Sequence, residues 1–312
     1  MASKTGWILY LTAALFGFVL IACQPSAPPQ NVLLITIDTL RPDHISCYGY
    51  KRNTTPNLDQ IAMEGTRYKN VFSQLTSTTP SHSSILTGLT PDIHGVLANG
   101  DPLPLKFTTL AEILRNAGFL TGAVVSNWSL KKERGLNQGF DYYDDFMPQE
   151  ELHRPLYQKN PEQAAIPLIL RYPGLFPEGK VEDARVETID LLPTILESCR
   201  IPFHNKIQGQ SLLSLTKQKD DKPIIVFSEN AKRISVYQGV WELVVLEKQP
   251  TELFDLESDP LEKRNALNTA DSEIVKRLYS VASKYFEIQN SEKESDLTEK
   301  DKKILRTLGY IN

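Results

Sequence analysis

The sequence predicts an α/β fold: a mostly parallel sheet flanked by helices, with a small antiparallel subdomain towards the C-terminal end. Three observations carry this. Val32, Leu33, Leu34, Ile35 and Ile37 form an apolar run that reads as a strand buried on both faces, as in a parallel sheet. Strand and helix candidates then alternate: helices over 56–65, 80–87, 108–117, 187–199 and 272–289, and strands over 119–125, 166–172 and 223–228. Near the end, candidate strands 233–237 and 241–246 flank Gln238, Gly239 and Val240 as a hairpin, and 252–256 supplies a third short strand.

Asp38 and Thr39 follow the first strand candidate. Ligands of open α/β sheets sit outside the carboxyl ends of such strands, so both residues are expected to face the site crevice. On spacing alone, an Asp that begins a turn fits equally well.

The N-terminal end reads as an export signal. Lys4 precedes an apolar run from Trp7 to Ile21, and Leu20, Ile21, Ala22 and Cys23 resemble a bacterial lipobox. The run is shorter than the roughly 20 residues of a spanning helix. An uncleaved anchor is the alternative. Cys23 is then the acylated residue, residues 23–30 a short tether, 31–228 the α/β domain and 229–312 the C-terminal subdomain with its helices. The expected location is the bacterial cell envelope, on its periplasmic or extracellular face. Removing residues 1–22 takes away one charged side chain, Lys4, and moves the formal charge from −4 to −5. A mildly acidic chain gives no support for nucleic-acid binding. With Cys23 lipidated, Cys47 and Cys199 remain, read as separate thiols rather than a disulfide framework. The charged stretch 290–303 reads as a solvated linker and helix face.

The segment NVLLITIDTLRPDHISCYGY resembles the first motif of the sulfatase family in the alkaline phosphatase superfamily, and further blocks follow in the family's order. TSTTPSHSSILTG is similar to its nucleophile motif and PDIHGVLAN to the segment after it. NAGFLTGAVVSN and LNQGFDYYDD are similar to later blocks of one bacterial branch. IPLILRYPG, ETIDLLPTILES, ELFDLESDPLEKRNAL and ILRTLGYIN resemble the C-terminal half. The resemblance implies a hydrolase of sulfuric or phosphoric esters, acting on a small-molecule, glycan or lipid ester, and anchored to a membrane through its lipid.

The family's nucleophile motif runs C/S-x-P-x-R, its first residue being converted to formylglycine. Aligning the proline with Pro80 puts Thr78 at the nucleophile position and His82 at the arginine. Thr is not a substrate for that conversion, so formylglycine is not expected; the T-x-P-S-H form resembles Thr-nucleophile branches acting on phosphoryl groups. A Thr hydroxyl at a helix N-terminus suits such chemistry, because the dipole and free N–H groups favour a tetrahedral anion. A plain capping residue is the alternative for Thr78. His82 either bonds an oxyanion, orients Thr78, or merely packs. His94 is read as setting loop geometry. Asp43 and His44 lie past the strand end and are not the family's metal pair.

The family also carries a strand ending in Asp-His-Gly that completes its metal site. Here residues 147–163 run almost directly into 164–166, where the family's downstream strand begins, so a deletion is read near 163/164. The Lys and His that many sulfatases carry after the helix near Gly118 are replaced by Ser126, Asn127 and Trp128. The resemblance implies a divalent metal, calcium or a transition metal, on Asp38, Thr39 and Thr78. A hard cation wants six or more oxygens, more than this set provides. Three readings stand: a metal-assisted hydrolase using Thr78, a non-catalytic lipid-anchored binding protein derived from a sulfatase, and a truncated product that folds poorly.

Overall fold

The computed structural model describes residues 30–146, 165–204, 206–214, 222–228, 232–260 and 262–286. The expectations for the export signal and Cys23, the junction near 163/164 and the stretch 290–303 lie outside these residues. The chain divides into two compact units, Met1–Leu33 and Leu34–Asn312, and the second carries every element below.

Chain order begins with helix α1 (Pro56–Met63), whose proline sits at the first helical position, where the absent N–H is not missed. Strand β1 (Thr66–Phe72) follows, then α2 (Thr78–Thr87), the short α3 (Pro91–His94) and α4 (Leu110–Asn116). Thr109 and Glu112 cap α4 reciprocally, as a T-x-x-E signature should. Next come β2 (Gly122–Val124), β3 (Tyr142–Asp144), β4 (Leu168–Leu170), β5 (Lys180–Glu187) and α5 (Leu191–Ser198). The C-terminal part holds β6 (Ile224–Phe227), β7 (Arg233–Gln238), β8 (Trp241–Leu246), β9 (Gln249–Asp255) and α6 (Ser272–Ala282).

The α/β character is present, but the strands fall into three sheets. β1 is central in the first, parallel to β5 and antiparallel to β4. Tyr68, Val71, Val186 and Leu212 close the core on it. β2 and β3 form a two-stranded parallel pair. β6, β7, β8 and β9 make an antiparallel sheet in sequence order, the expected C-terminal subdomain.

The first predicted strand is corrected. Residues 32–37 carry no strand, and Leu34, Ile35 and Ile37 are 38, 66 and 52% exposed. A strand exists only with a neighbour to take its N–H and C=O groups. No described strand pairs with this run. The single mostly parallel sheet expected around it is therefore not assembled among the described residues.

In the C-terminal sheet the side chains alternate. Ile225, Phe227, Ile234, Val236, Leu243, Val245 and Leu253 turn to one face, where Leu278 and Ala282 of α6 cover them. Val226 and Tyr237 turn to the other face, beside Phe72. The hairpin turn expected around Gly239 is present, with that glycine at φ 58°, a left-handed conformation that glycine adopts without strain. Two contacts tie this sheet to the segment leading into α2: Leu75 bridges Phe227, and the Thr76 N–H donates to the Phe227 carbonyl at 3.2 Å.

Candidate functional site

The site is built on α2, a buried helix made largely of hydroxyl side chains. Thr78, Thr79, Ser83, Ser84 and Thr87 are all buried. Their hydroxyls do not go unpaired. Ser83 donates to the Thr79 carbonyl at 2.8 Å, Thr87 to that of Ser83 at 2.7 Å, and Thr79 to that of Ser129 at 2.7 Å. Small side chains let α2 pack closely on α5 and on the turns at Thr188–Asp190 and Trp128–Leu130. Gly88 at φ 66° ends the helix.

Thr78 is the first helical residue and Ser77 the N-cap. The plain capping reading of Thr78 therefore does not hold: its hydroxyl leaves the helix and donates to Asp38, at 3.3 Å to Oδ1 and 3.5 Å to Oδ2. These are long for an O–H···O bond. A buried hydroxyl facing an exposed carboxylate is nonetheless the spatial relation of a nucleophile and its proton acceptor.

Asp38 sits in a turn, as the spacing also allowed. The next residue, Thr39, has φ 57°, a left-handed conformation costly for a β-branched side chain. Thr39 itself is exposed, and its side chain bonds to neither Asp38 nor Thr78 among the described residues.

Asn127 is the partner that sequence reasoning missed. Its Nδ2 donates to Asp38 Oδ2 at 2.5 Å, while its Oδ1 accepts the Ser129 N–H at 2.8 Å as the cap of the following turn. The signal available was the resemblance, which implies a Lys and a His where this chain has the stretch Ser126, Asn127 and Trp128. Asn127 supplies a neutral donor.

His82 ties the two motifs together. A carbonyl can only accept, so Nδ1–H donates to Thr78 O at 2.8 Å, and Nε2 accepts from the Thr36 hydroxyl at 3.0 Å. Burial lowers the His82 pKa and favours the neutral ring, opposed in part by the Thr78 carbonyl and the charge of Asp38. His82 thus positions the segment before Asp38 against the first turn of α2.

The anion cradle expected at this helix is narrower than the dipole argument implies. Pro80 has no N–H, the Thr79 N–H donates to Asn99 Oδ1 at 2.9 Å, and the Ser81 N–H donates to the Ser77 carbonyl at 3.1 Å. His94 lies away from this chemistry. Its Nδ1 accepts the Val96 N–H and its Nε2–H donates to Ser84, a buried structural role with the pKa pushed down to about 3 by desolvation. Asp43 pairs with Arg41 at 2.6 Å, and Cys47 and Cys199 are free thiols.

Comparison with known proteins supports a sulfatase-like chain. The sequence model of the Sulfatase family matches residues 30–160, and that of N-sulphoglucosamine sulphohydrolase, C-terminal, matches residues 142–287. The chain is thus similar to sulfatases over most of its length. Human arylsulfatase A is 38% identical over 110 residues, covering 33% of this chain and 22% of that protein. The sulfatase-like chain spans 22–30% of the length of the arylsulfatases A and G that it matches. Among solved structures, one in complex with its substrate D-glucosamine-2-N,6-O-disulfate has a TM-score of 0.66 at 14% identity, over 88% of this chain and 100% of the other. The phosphonate monoester hydrolase of Agrobacterium radiobacter has a TM-score of 0.64 at 15% identity, over 88% and 99%. At such identities the likeness is one of fold.

The family generally uses a divalent metal, and the residues at this site do not fit one. No group of three or more His, Cys, Asp or Glu side chains comes together among the described residues. Asp38 offers one carboxylate, and both of its oxygens already accept hydrogen bonds. A hard cation needs at least six oxygen ligands. No step below is routed through a metal.

Proposed function

We propose that this chain is a sulfatase-like hydrolase of sulfuric or phosphoric esters with impaired turnover, in which Thr78 is the nucleophile. The observation that carries the proposal is the Thr78 hydroxyl donating to Asp38, whose other oxygen Asn127 holds. Asp38 accepts the Thr78 proton as the threonine oxygen attacks sulfur or phosphorus in line. The bond to the leaving oxygen breaks as the new bond forms, and water later releases the anion from Thr78. His82 keeps Asp38 and Thr78 in register and takes no proton in this scheme. Turnover is impaired because a neutral Asn127 and a mostly satisfied helix end supply little charge against the anion in the transition state.

The substrate class follows the relatives. The neighbour that binds a glucosamine disulfate favours sulfate esters of sugars, and the phosphonate monoester hydrolase keeps phosphorus esters open. The Thr in place of Cys or Ser supports reading the chain as one of the T-x-P-S-H branch. Exposed Leu34, Ile35, Ile37, Leu120, Val124 and Phe146 support the reading of an internal deletion, because apolar groups in unpaired segments and beside short strands lack the cover that further strands provide. Lipidation at Cys23 and an envelope location complete the proposal. No helix among the described residues is long and apolar enough to cross a membrane.

The second reading, a non-catalytic binding protein, is favoured by the poor fit of the described residues around Asp38 to a metal. One experiment separates the two. Purified chain is assayed against p-nitrophenyl sulfate and p-nitrophenyl phosphate, whose leaving group needs no protonation, alongside Thr78→Ala. Slow release of nitrophenolate that Thr78→Ala abolishes supports the hydrolase. Release that survives in Thr78→Ala overturns the nucleophile assignment. Ester binding without release in either protein favours the binding protein.

A further inference from the structure

We propose that Thr79, the residue after the nucleophile, is a positioning residue that aims the Asp38 carboxylate at the Thr78 hydroxyl, acting through Ser129 and Asn127. The inference rests on the hydrolase reading above and deepens it. Thr79 and Ser129 are both fully buried. The Thr79 hydroxyl donates to the Ser129 carbonyl at 2.7 Å, the Ser129 N–H donates to Asn127 Oδ1 at 2.8 Å, and Asn127 Nδ2 donates to Asp38 Oδ2. Asp38 in turn accepts from Thr78, so the contacts close a ring about the reacting hydroxyl.

The ring follows from where Thr79 sits in α2. Further along the helix, Ser83 and Thr87 turn their hydroxyls back to carbonyls four residues earlier. Thr79 is the second residue of α2, and the carbonyl four residues before it, that of Leu75, lies ahead of the Ser77 N-cap and accepts the Ser73 hydroxyl at 2.8 Å. The Thr79 hydroxyl therefore turns to a neighbouring segment. The branch at Cβ limits its rotation, and the Thr79 N–H is tied to Asn99 Oδ1 at 2.9 Å, so both the donor and the backbone beneath it are held.

The consequence falls on Asp38. Asn127 gives its Oδ1 to the Ser129 N–H, which leaves Nδ2 to face the carboxylate; the reverse orientation would set oxygen against oxygen. A carboxylate turns easily about its last torsion, and Asp38 is exposed, so packing does little to stop that rotation. The link through His82 and Thr36 holds the backbone before Asp38 and leaves the rotation of its carboxylate unset. The contact from Thr78 is long, 3.3 Å to Oδ1 and 3.5 Å to Oδ2, so a small rotation decides whether the proton can pass. Asn127 sets that rotation, and the Ser129 turn sets Asn127. Thr79 ties this turn to the same helix end that carries Thr78.

Thr79→Val removes the hydroxyl at nearly constant shape, and Thr79→Ser keeps it. Two readings are taken on the full chain: release of nitrophenolate from p-nitrophenyl sulfate and p-nitrophenyl phosphate, and the nitrogen-15 side-chain amide signal of Asn127, assigned by its absence in Asn127→Ala. Thr79→Val should move the amide signal and lower kcat about ten- to a hundredfold with KM little changed, while Thr79→Ser keeps the signal in place and most of the rate. An amide signal unmoved in Thr79→Val, a loss carried by KM, or Thr79→Ser behaving as Thr79→Val does overturns the proposal and leaves Thr79 a packing residue. Thr79→Ala is read in the same way should Thr79→Val not fold. If the parent protein releases no nitrophenolate, the hydrolase reading fails on its own, and the amide signal alone then decides whether Thr79 holds Asn127 against Asp38.

Discussion

Two apolar stretches of this chain met opposite fates. The strands β7 and β8 and the run Leu34 to Ile37 are similarly rich in aliphatic side chains. In β7 and β8 every second residue is covered by α6 and the backbone is paired on both sides. The run before Asp38 has neither a pairing strand nor a covering helix among the described residues, and its side chains face outward. Hydrophobic content alone therefore does not make a core; a partner at ladder distance does. The functional consequence is local. Asp38 is held at the site not by a strand beneath it but by three side chains reaching in from elsewhere: Thr78, Asn127 and, through Thr36, His82.

The comparison breaks most sharply in the core of the C-terminal sheet. Leu278 is fully buried against the sheet. Leu278→Ala is expected to cost about 2–5 kcal/mol, the transfer of the lost methyl groups plus the cavity left behind. Urea denaturation followed by tryptophan fluorescence reads it, since Trp241 packs beside this cluster. A cost under about 1 kcal/mol would mean that the sheet and α6 are loosely packed.

Acid should act next, through His94. Its pKa falls from the ordinary 6.5 to about 3 because the buried ring has no room for a charge. The unfolded chain binds that proton more readily, so this contribution to stability is complete above pH 6.5 and is lost as pH falls towards 3. A loss on the order of a few kcal/mol is expected across that window. Stability measured at pH 7 and pH 4 should differ less in His94→Asn than in the parent. An equal difference in the two proteins would remove His94 from the account.

Smaller again is the link through His82. Replacing it by Ala removes two hydrogen bonds between α2 and the Asp38 segment, at about 1 kcal/mol each. The larger effect should fall on geometry. If the hydrolase reading holds, kcat should drop with KM little changed, because Asp38 loses its register with Thr78 while bound ester keeps its contacts. His82→Gln, which can reach the same partners, should restore part of the rate. Failure of His82→Gln to restore any of it would leave only a packing role for the ring.

What the sequence made legible follows the same division. The hairpin at Gly239, the capped helix after Thr109 and the helix after Ser77 all declare themselves locally, through turn chemistry, a capping box and the break at Gly88. β1 and β5 do not. Arg67, Lys69 and Asn70 interrupt the first, and Lys180, Glu182, Asp183 and Arg185 dominate the second. Both are strands because they pair with each other across more than a hundred residues, a long-range fact that no window of sequence contains. At the site, Asp38, Thr78 and His82 were found through motif spacing and do come together. Thr39, placed with them as a metal ligand, has a left-handed backbone and makes no side-chain bond to either Asp38 or Thr78 among the described residues. Asn127 escaped because it supplies neither charge nor a nucleophile; it only holds Asp38.

The smallest expected effect lies in the exposed run and separates folding from solubility. Ile35 is two-thirds exposed, so Ile35→Ser should change unfolding free energy by less than about 0.5 kcal/mol. An unpaired apolar segment is also a template for edge pairing, and a polar residue there should reduce self-association. Light scattering on heating reads this separately from the denaturation midpoint. Ile35→Ser should delay the onset of scattering at an unchanged midpoint. A large fall in the midpoint would instead show that Ile35 is buried in solution, and that the run is covered by a part of the molecule beyond the described residues.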